Sequence, residues 1–135
     1  MIEIERAHED LNFTSERISE QTRTISLSII AIVWVLLIGG EDKPILPSVP
    51  DARQLIVAGF LALLTLFLDY AQYAVGFINT KLLVDKAELE NLNSISFKKE
   101  GFLYNCRSAF FWSKQLLVVV AGLTLIFTVA EVFSI

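Results

Sequence analysis

Ionisable and amide side chains inside long apolar stretches are the residues of this sequence that could carry chemistry. Asp69 is the single charge in the twenty-seven residues 54–80, and Glu131 is the single charge in the twenty-one residues 115–135. A charged side chain at the centre of a membrane helix costs on the order of 2.5–3.5 kcal/mol on insertion scales. Asp69 is therefore expected to be protonated, paired with a cation or facing water.

Asp69 belongs to a row of small and polar residues spaced by three and four, which shares one helix face. The row comprises Ala58, Ala62, Thr65, Asp69, Gln72, Gly76 and Asn79. A matching row follows later in the chain: Lys114, Leu117, Ala121, Thr124, Thr128 and Glu131. Small residues let helices approach closely, and polar residues hydrogen-bond across the contact. A Lys114–Asp69 pair is sterically feasible, either within one subunit or between two.

Two interpretations of these rows are open. They can be packing seams in which Asp69 is satisfied by hydrogen bonds between helices. Alternatively, Asp69, Gln72 and Asn79 line a hydrated path when several copies assemble, because three helices alone cannot enclose a conducting pore. A proton relay or a lipid-headgroup site is a further alternative.

The elements that carry these rows are predicted to be membrane-spanning helices. The 135 residues are 54% hydrophobic and 19% charged, against about 45–50% and about 25% in soluble domains. About 20 apolar residues cross the hydrocarbon core. An uncharged run of seventeen residues, 24–40, adds a short first span to the two longer runs.

The predicted fold is an all-α integral membrane protein with three transmembrane helices and cytoplasmic helical extensions of spans one and two. A Pro-rich turn is expected between the first two spans. The segments are an amphipathic helix at 1–23, span one at 24–40, a short external loop at 41–53, span two at 54–80, a cytoplasmic helix with an aromatic and basic interfacial segment at 81–108, and span three at 109–135.

The basic residues set the orientation, because Lys and Arg accumulate on the cytoplasmic side. Nine of the eleven precede span one or lie between spans two and three, and the other two, Lys43 and Arg53, lie in the first loop. A multi-pass protein of the cell (inner) membrane is predicted, with a cytoplasmic N-terminus and an external C-terminus.

Apolar residues at heptad spacing are expected to form a seam between the cytoplasmic helices, either within the chain or between copies. They are Ile4, Leu11 and Ile18 before span one, and Leu82 and Leu89 after span two. The expected partners are the lipid bilayer, further copies in a homo-oligomer, and a protein bound through these helices. The net charge of −4 gives no nucleic-acid footprint.

The residue inventory argues against an enzyme. With one histidine, His8, and one cysteine, Cys106, the chain is not expected to build a zinc site or a Cys–His nucleophile pair. No Gly-rich phosphate loop occurs, and no cofactor or metal is expected. The bacterial diacylglycerol kinases are similar in having three spans and an amphipathic N-terminal helix. Their catalytic Glu and Asn motif has no match here, so the similarity is one of topology.

The hairpin from Ile25 to Ile78 and the aromatic–basic run from Tyr104 to Lys114 resemble small multi-span bacterial membrane effectors of phage-defence and nucleotide-signalling systems. The resemblance implies assembly and loss of membrane integrity when triggered. The expected function is a homo-oligomeric membrane protein that forms or gates a permeation path. The alternatives are a non-conducting accessory or anchoring subunit of a larger membrane complex and, more weakly, a membrane enzyme acting on lipid.

Overall fold

The computed structural model contains three long α-helices: α1 spans Ile4–Ile38, α2 spans Val49–Leu89 and α3 spans Phe102–Phe133. The structure describes residues 4–39, 49–89 and 101–133, and the side chains within 11–39, 52–86, 88–89 and 101–131. Residues 41–48 of the predicted external loop and the side chain of Ile4 lie outside these ranges. All three helices are long and apolar enough to cross a membrane, as expected for a multi-pass membrane protein.

The helix ends differ from the predicted boundaries at two places. Helix α2 begins at Val49, so the last five residues of the predicted external loop are helical. Pro50 lies in the first turn, where a missing backbone N–H leaves no hydrogen bond unmade. Helix α3 is continuous from Phe102, so the described part of the predicted interfacial segment runs directly into span three.

Glycines define one end of α1 and one end of α3. Gly39 has a φ of 73°, and its N–H donates to the carbonyl of Val35 at 3.1 Å. Both features belong to the left-handed C-cap that glycine adopts without strain. The carbonyl of Gly101 accepts from the N–H of Asn105 at 3.1 Å, which starts the hydrogen-bond ladder of α3.

The interior of the bundle is apolar in its middle, and its buried side chains come from all three helices. The cluster comprises Ile29, Val33, Leu55, Ala58, Ala62, Val118, Ala121 and Leu125. Helices α2 and α3 share the most extensive contact, and α1 packs less extensively against both. The fully buried alanines explain the close approach of α2 and α3, since they hold no bulk between the backbones.

The outer surface carries large apolar side chains. Trp34, Phe60, Phe67, Phe77 and Phe127 are each more than 60% exposed. Bulk apolar groups outside and small or polar groups inside reverse the pattern of a water-soluble bundle. This surface is suited to lipid tails.

Gly59 controls the contact between α1 and α2. A Cβ at this position would lie 3.2 Å from Cγ1 of Val33. Gly59→Leu is expected to lower the free energy of unfolding by about 1–3 kcal/mol, because it overpacks a tight helix contact. The measurement is unfolding in detergent followed by circular dichroism. Gly122→Ala is the matched control, since its Cβ would lie 4.0 Å from Ile29. Equal stability of the two variants would contradict the tight contact.

Candidate functional site

A charged triad joins the three helices. Asp69 of α2 accepts a hydrogen bond on Oδ1 from Nζ of Lys114 on α3. Its second oxygen, Oδ2, accepts from Nε and Nη2 of Arg23 on α1, at 3.1 and 2.8 Å. One carboxylate therefore binds two cations from two different helices. We call Arg23, Asp69 and Lys114 the charged triad.

The three members differ in exposure. Lys114 is 0% exposed and Asp69 is 4% exposed, whereas the side chain of Arg23 is 48% exposed. Water can therefore hydrate Arg23 but has no access to the Lys114 ammonium. Nζ of Lys114 also donates to Oγ of Ser19 at 2.8 Å, so its second bond goes to α1. Lys114 thus depends on all three helices for its solvation.

Two aromatic rings lie beside the two cations of the triad. The triad has two positive charges and only one negative charge. Nζ of Lys114 lies 5.5 Å from the ring centre of Phe111 and 5.9 Å from that of Tyr73. Cζ of Arg23 lies 5.7 Å from the same Tyr73 ring. The negative faces of aromatic rings attract cations at such distances. The rings partly offset the excess positive charge.

A polar layer surrounds the triad. Thr22 is 3% exposed, and its hydroxyl lies 2.8 Å from both the Ile18 carbonyl oxygen and Oε1 of Gln115, with a proton to donate to either. Among the described residues, three buried atoms have no hydrogen-bond partner: Oγ of Ser26, Oε1 of Gln72 and Nε2 of Gln115. Burying a polar atom without a partner costs free energy. Each of these three atoms is able to form a further hydrogen bond.

A second polar contact lies at the other end of the bundle. Oγ1 of Thr128 donates to Oε1 of Gln54 at 2.9 Å, and also lies 2.8 Å from the carbonyl of Thr124. Gln54 and Asp69 are fifteen residues apart on α2, or about 22 Å along the helix. The apolar cluster fills the space between the two polar layers. Along the axis of the bundle, the interior is thus polar at the triad, apolar in the middle and polar again at Gln54 and Thr128.

The structure places most of the predicted polar residues inside the single chain. Thr65, Asp69, Gln72, Lys114 and Thr128 are buried, and the feasible Lys114–Asp69 pair forms within one subunit. Gly76, Asn79 and Thr124 are half-buried, and Glu131 is exposed. The buried members contact other helices of the same chain in the described arrangement. A role of Asp69 at a contact between copies stays a prediction.

The predicted apolar seam remains uncovered. Leu11 is 65% exposed, Ile18 36%, Leu82 56% and Leu89 85%, so the chain's own helices do not pack over them. A seam between copies stays a prediction. The buried face of α1 lies one residue away from the seam and is polar, with Ser19, Thr22 and Ser26 directed inward.

Arg23 is the functional residue that sequence reasoning missed. The sequence places it only among the basic residues that precede span one. Its position directly before the uncharged run gave the signal, because an arginine at the end of a membrane helix extends to the nearest polar partner. Lys114 directly precedes the run of span three in the same way. The triad therefore lies where two of the three apolar runs begin.

Comparison with protein-family models, curated proteins and solved structures finds no match to this chain. The groups of His, Cys, Asp and Glu within the described ranges include none that could hold a metal ion. What the site can do therefore follows from its own residues. A fully buried cation, a shared carboxylate and unpartnered polar atoms form a charged layer between the three helices.

The triad predicts a specific pattern of stability. Asp69→Asn leaves the Lys114 charge buried without its partner and is expected to cost about 3–5 kcal/mol of unfolding free energy. The double variant Asp69→Leu with Lys114→Met is expected to recover most of that loss, because it removes both buried charges. Arg23→Gln should cost less than about 1 kcal/mol, since Arg23 is half-exposed.

The measurement is SDS-titrated unfolding in mixed micelles for the wild type and the three variants. The order of stability decides the matter. If the double variant is no more stable than Asp69→Asn, the loss of stability in Asp69→Asn does not come from the unpaired charge of Lys114.

Proposed function

We propose that this chain is a homo-oligomeric membrane protein that forms or gates a permeation path, or perturbs membrane integrity, when its helices rearrange. The observation that carries the proposal is the complete burial of Lys114 against Asp69 between apolar helices. A plain membrane anchor gains no stability from such a pair, because apolar residues of similar volume pack as well or better. Ionisable residues inside membrane helices are characteristic of ion paths, relays and sensors.

The order of the interior supports a gated path. The charged triad and its polar neighbours occupy one end, and the Gln54–Thr128 pair occupies the other. Leu55, Ala58 and Ala62 between them are 0% exposed. Apolar constrictions gate channels by excluding water. We therefore interpret the described arrangement as a closed state whose apolar middle blocks the path.

Helix α1 is the element best suited to move. It packs less extensively than α2 and α3 do against each other, and its inner face at this end is polar. Its charged link to α2 is through half-exposed Arg23. Displacement of α1 would expose Lys114 and Asp69 to water. Because three helices cannot enclose a pore, a conducting path requires several copies whose polar faces meet.

The distribution of basic residues supports the orientation in this proposal. Nine of the eleven lie on the side of the N-terminus, which favours a cytoplasmic N-terminus and an external C-terminus in the cell membrane. The charged triad then lies toward the cytoplasmic side and the Gln54–Thr128 pair toward the outside. A cytoplasmic event at α1 would have direct access to the triad.

The oligomeric state is the first test. The mass of the detergent-extracted protein, with lipid and detergent subtracted, is expected to correspond to a defined oligomer. The double variant Leu82→Gln with Leu89→Gln should loosen it, because both side chains are exposed in the single chain. Lys81→Gln is the control on the same part of α2 and should keep the wild-type mass. A monomeric wild type would contradict the proposal.

Permeation is the second test. Arg23→Gln removes the α1–α2 ion pair and should increase dye release from liposomes up to about fivefold, the population shift given by a half-exposed pair. Arg17→Gln is the matched control on the same helix, since Arg17 lies over the Phe13 ring at 5.2 Å. Equal release from both variants would mean that the triad does not restrain the path.

The exposed leucines favour a second candidate function, that of a non-conducting accessory or anchoring subunit. Leu89 is 85% exposed on the part of α2 that continues beyond the apolar run, where a partner protein could cover it. Such a subunit is expected to be monomeric alone and to co-purify with a partner through residues 1–23 or 81–108. The mass measurement and the identity of co-purified proteins distinguish the two functions.

A further inference from the structure

A pocket of about 210 Å³ lies beside the charged triad and receives side chains from all three helices. Its lining includes Asn12, Ser15, Gln72, Tyr104, Arg107 and Ser108. The charged triad does not include any of them. Gln72 and Phe111 line the pocket and also lie in the layer of the triad, so the two features adjoin, and the other lining residues have no role in the gating proposal.

Arg107 supplies the positive charge of the pocket. Its guanidinium makes no hydrogen bond or ion pair with the described residues. The side chain lies against α2 at Gly76, where an added Cβ would be 3.7 Å from Nε and 3.8 Å from Cζ. The absence of a side chain at Gly76 lets Arg107 lie across the helix. A fork of N–H donors held in this way is suited to a phosphate group.

Gln72 lines the pocket and supplies an acceptor when its side-chain amide turns toward it, because Oε1 is covered in the described arrangement. It is 8% exposed, and its Oε1 has no hydrogen-bond partner. A buried acceptor without a partner costs free energy unless a ligand or water donates to it. The pocket thus combines a cation for an anionic group with an acceptor for a hydrogen-bond donor. A phosphate that carries an ammonium or hydroxyl group satisfies both.

The position of the pocket favours a lipid as the source of that phosphate. Arg107 precedes Lys114 by seven residues, about 10 Å along α3, on the side away from the apolar cluster. Phe102 and Trp112 nearby on α3 are 80% and 68% exposed. Aromatic residues and arginine at such a depth are typical of the headgroup layer. Acyl chains could extend from there along the apolar outer surface.

We infer that this pocket binds the headgroup of a phospholipid from the leaflet on the side of the N-terminus. Arg107 binds the phosphate, and Oε1 of Gln72 accepts from the ethanolamine ammonium or the glycerol hydroxyl. Phosphatidylcholine has the same phosphate, but its quaternary ammonium has no N–H to donate. The pocket therefore distinguishes these lipids by whether the headgroup has a hydrogen-bond donor. This inference does not require the chain to conduct ions.

The test is native mass spectrometry of the delipidated full chain in detergent. Equimolar phosphatidylethanolamine, phosphatidylglycerol and phosphatidylcholine with identical acyl chains are added. The first two should be retained about 2- to 10-fold more than phosphatidylcholine, the effect of one hydrogen bond. Arg107→Gln should lower retention of all three about 10-fold or more, because a charge-assisted bond is lost. Gln72→Met should abolish the preference and leave phosphatidylcholine binding unchanged.

The controls separate the pocket from general electrostatics. Lys81→Gln removes an exposed base outside the pocket and should leave lipid retention unchanged. Gly76→Ala should also bind normally, since its Cβ makes ordinary contact with Arg107, whereas Gly76→Leu should displace Arg107 and behave like Arg107→Gln. Arg107 is exposed, so its variants should unfold as the wild type does.

Two outcomes would overturn the inference. One is equal retention of the three lipids together with no greater loss in Arg107→Gln than in Lys81→Gln. The other is displacement of the lipid by soluble phosphoethanolamine at equal concentration, which would show that the acyl chains contribute nothing and that a soluble phosphate compound is the ligand.

Discussion

The neutralisation of Lys114 is the interaction on which the rest of the structure depends. An ammonium with no access to water is stable between apolar helices only where a carboxylate and further acceptors surround it. Asp69 comes from α2 and Ser19 from α1, so the charge is satisfied only when all three helices are in register. A shift of one residue on any helix would rotate a partner away by about 100°. The triad therefore sets the alignment of the bundle.

The apolar cluster depends on that alignment and complements it. Ala58, Ala62 and Ala121 are fully buried, and they let α2 and α3 approach closely over the middle of the bundle. The charged layer lies to one side of this cluster, whose members are all hydrophobic. Gly59 gives α1 a similarly close approach at Val33. Packing of the apolar side chains in the middle stabilises the bundle. The charged triad determines which residues of the three helices face one another.

Helix α1 is held by strong contacts to α3 and by a weaker contact to α2. Ser19 and Thr22 hold it to α3 through buried hydrogen bonds, whereas Arg23 holds it to α2 through a half-exposed ion pair. Ser26, Gln72 and Gln115 keep unpartnered atoms in the same layer. Polar groups that are incompletely paired in one arrangement can be better paired in another. The buried polar atoms without partners among the described residues thus all lie in the layer of the triad.

The helical rows show how much of the site the sequence predicts. Their spacing predicts the face of α2 that carries Thr65, Asp69 and Gln72. It also makes a pair between Asp69 and Lys114 feasible. On α1 the same reasoning selected the apolar row of Leu11 and Ile18, but the buried row is Ser19, Thr22 and Ser26. The contact face of α1 is polar because it meets Lys114 and Gln115 of α3, so the apolar row does not mark the contact face here.

By itself, the sequence determined that the chain forms three long apolar helices and that Asp69 needs a partner, because run length and the cost of an isolated charge are properties of a single segment. The tertiary structure decided that the partners are Lys114 and Arg23 of the same chain, and that Arg107 lies over Gly76 beside Gln72. Periodicity gives the contact faces of α2 and α3 but not that of α1. The neighbour that the face meets depends on how three helices pack together, and long cationic side chains select among partners only in three dimensions.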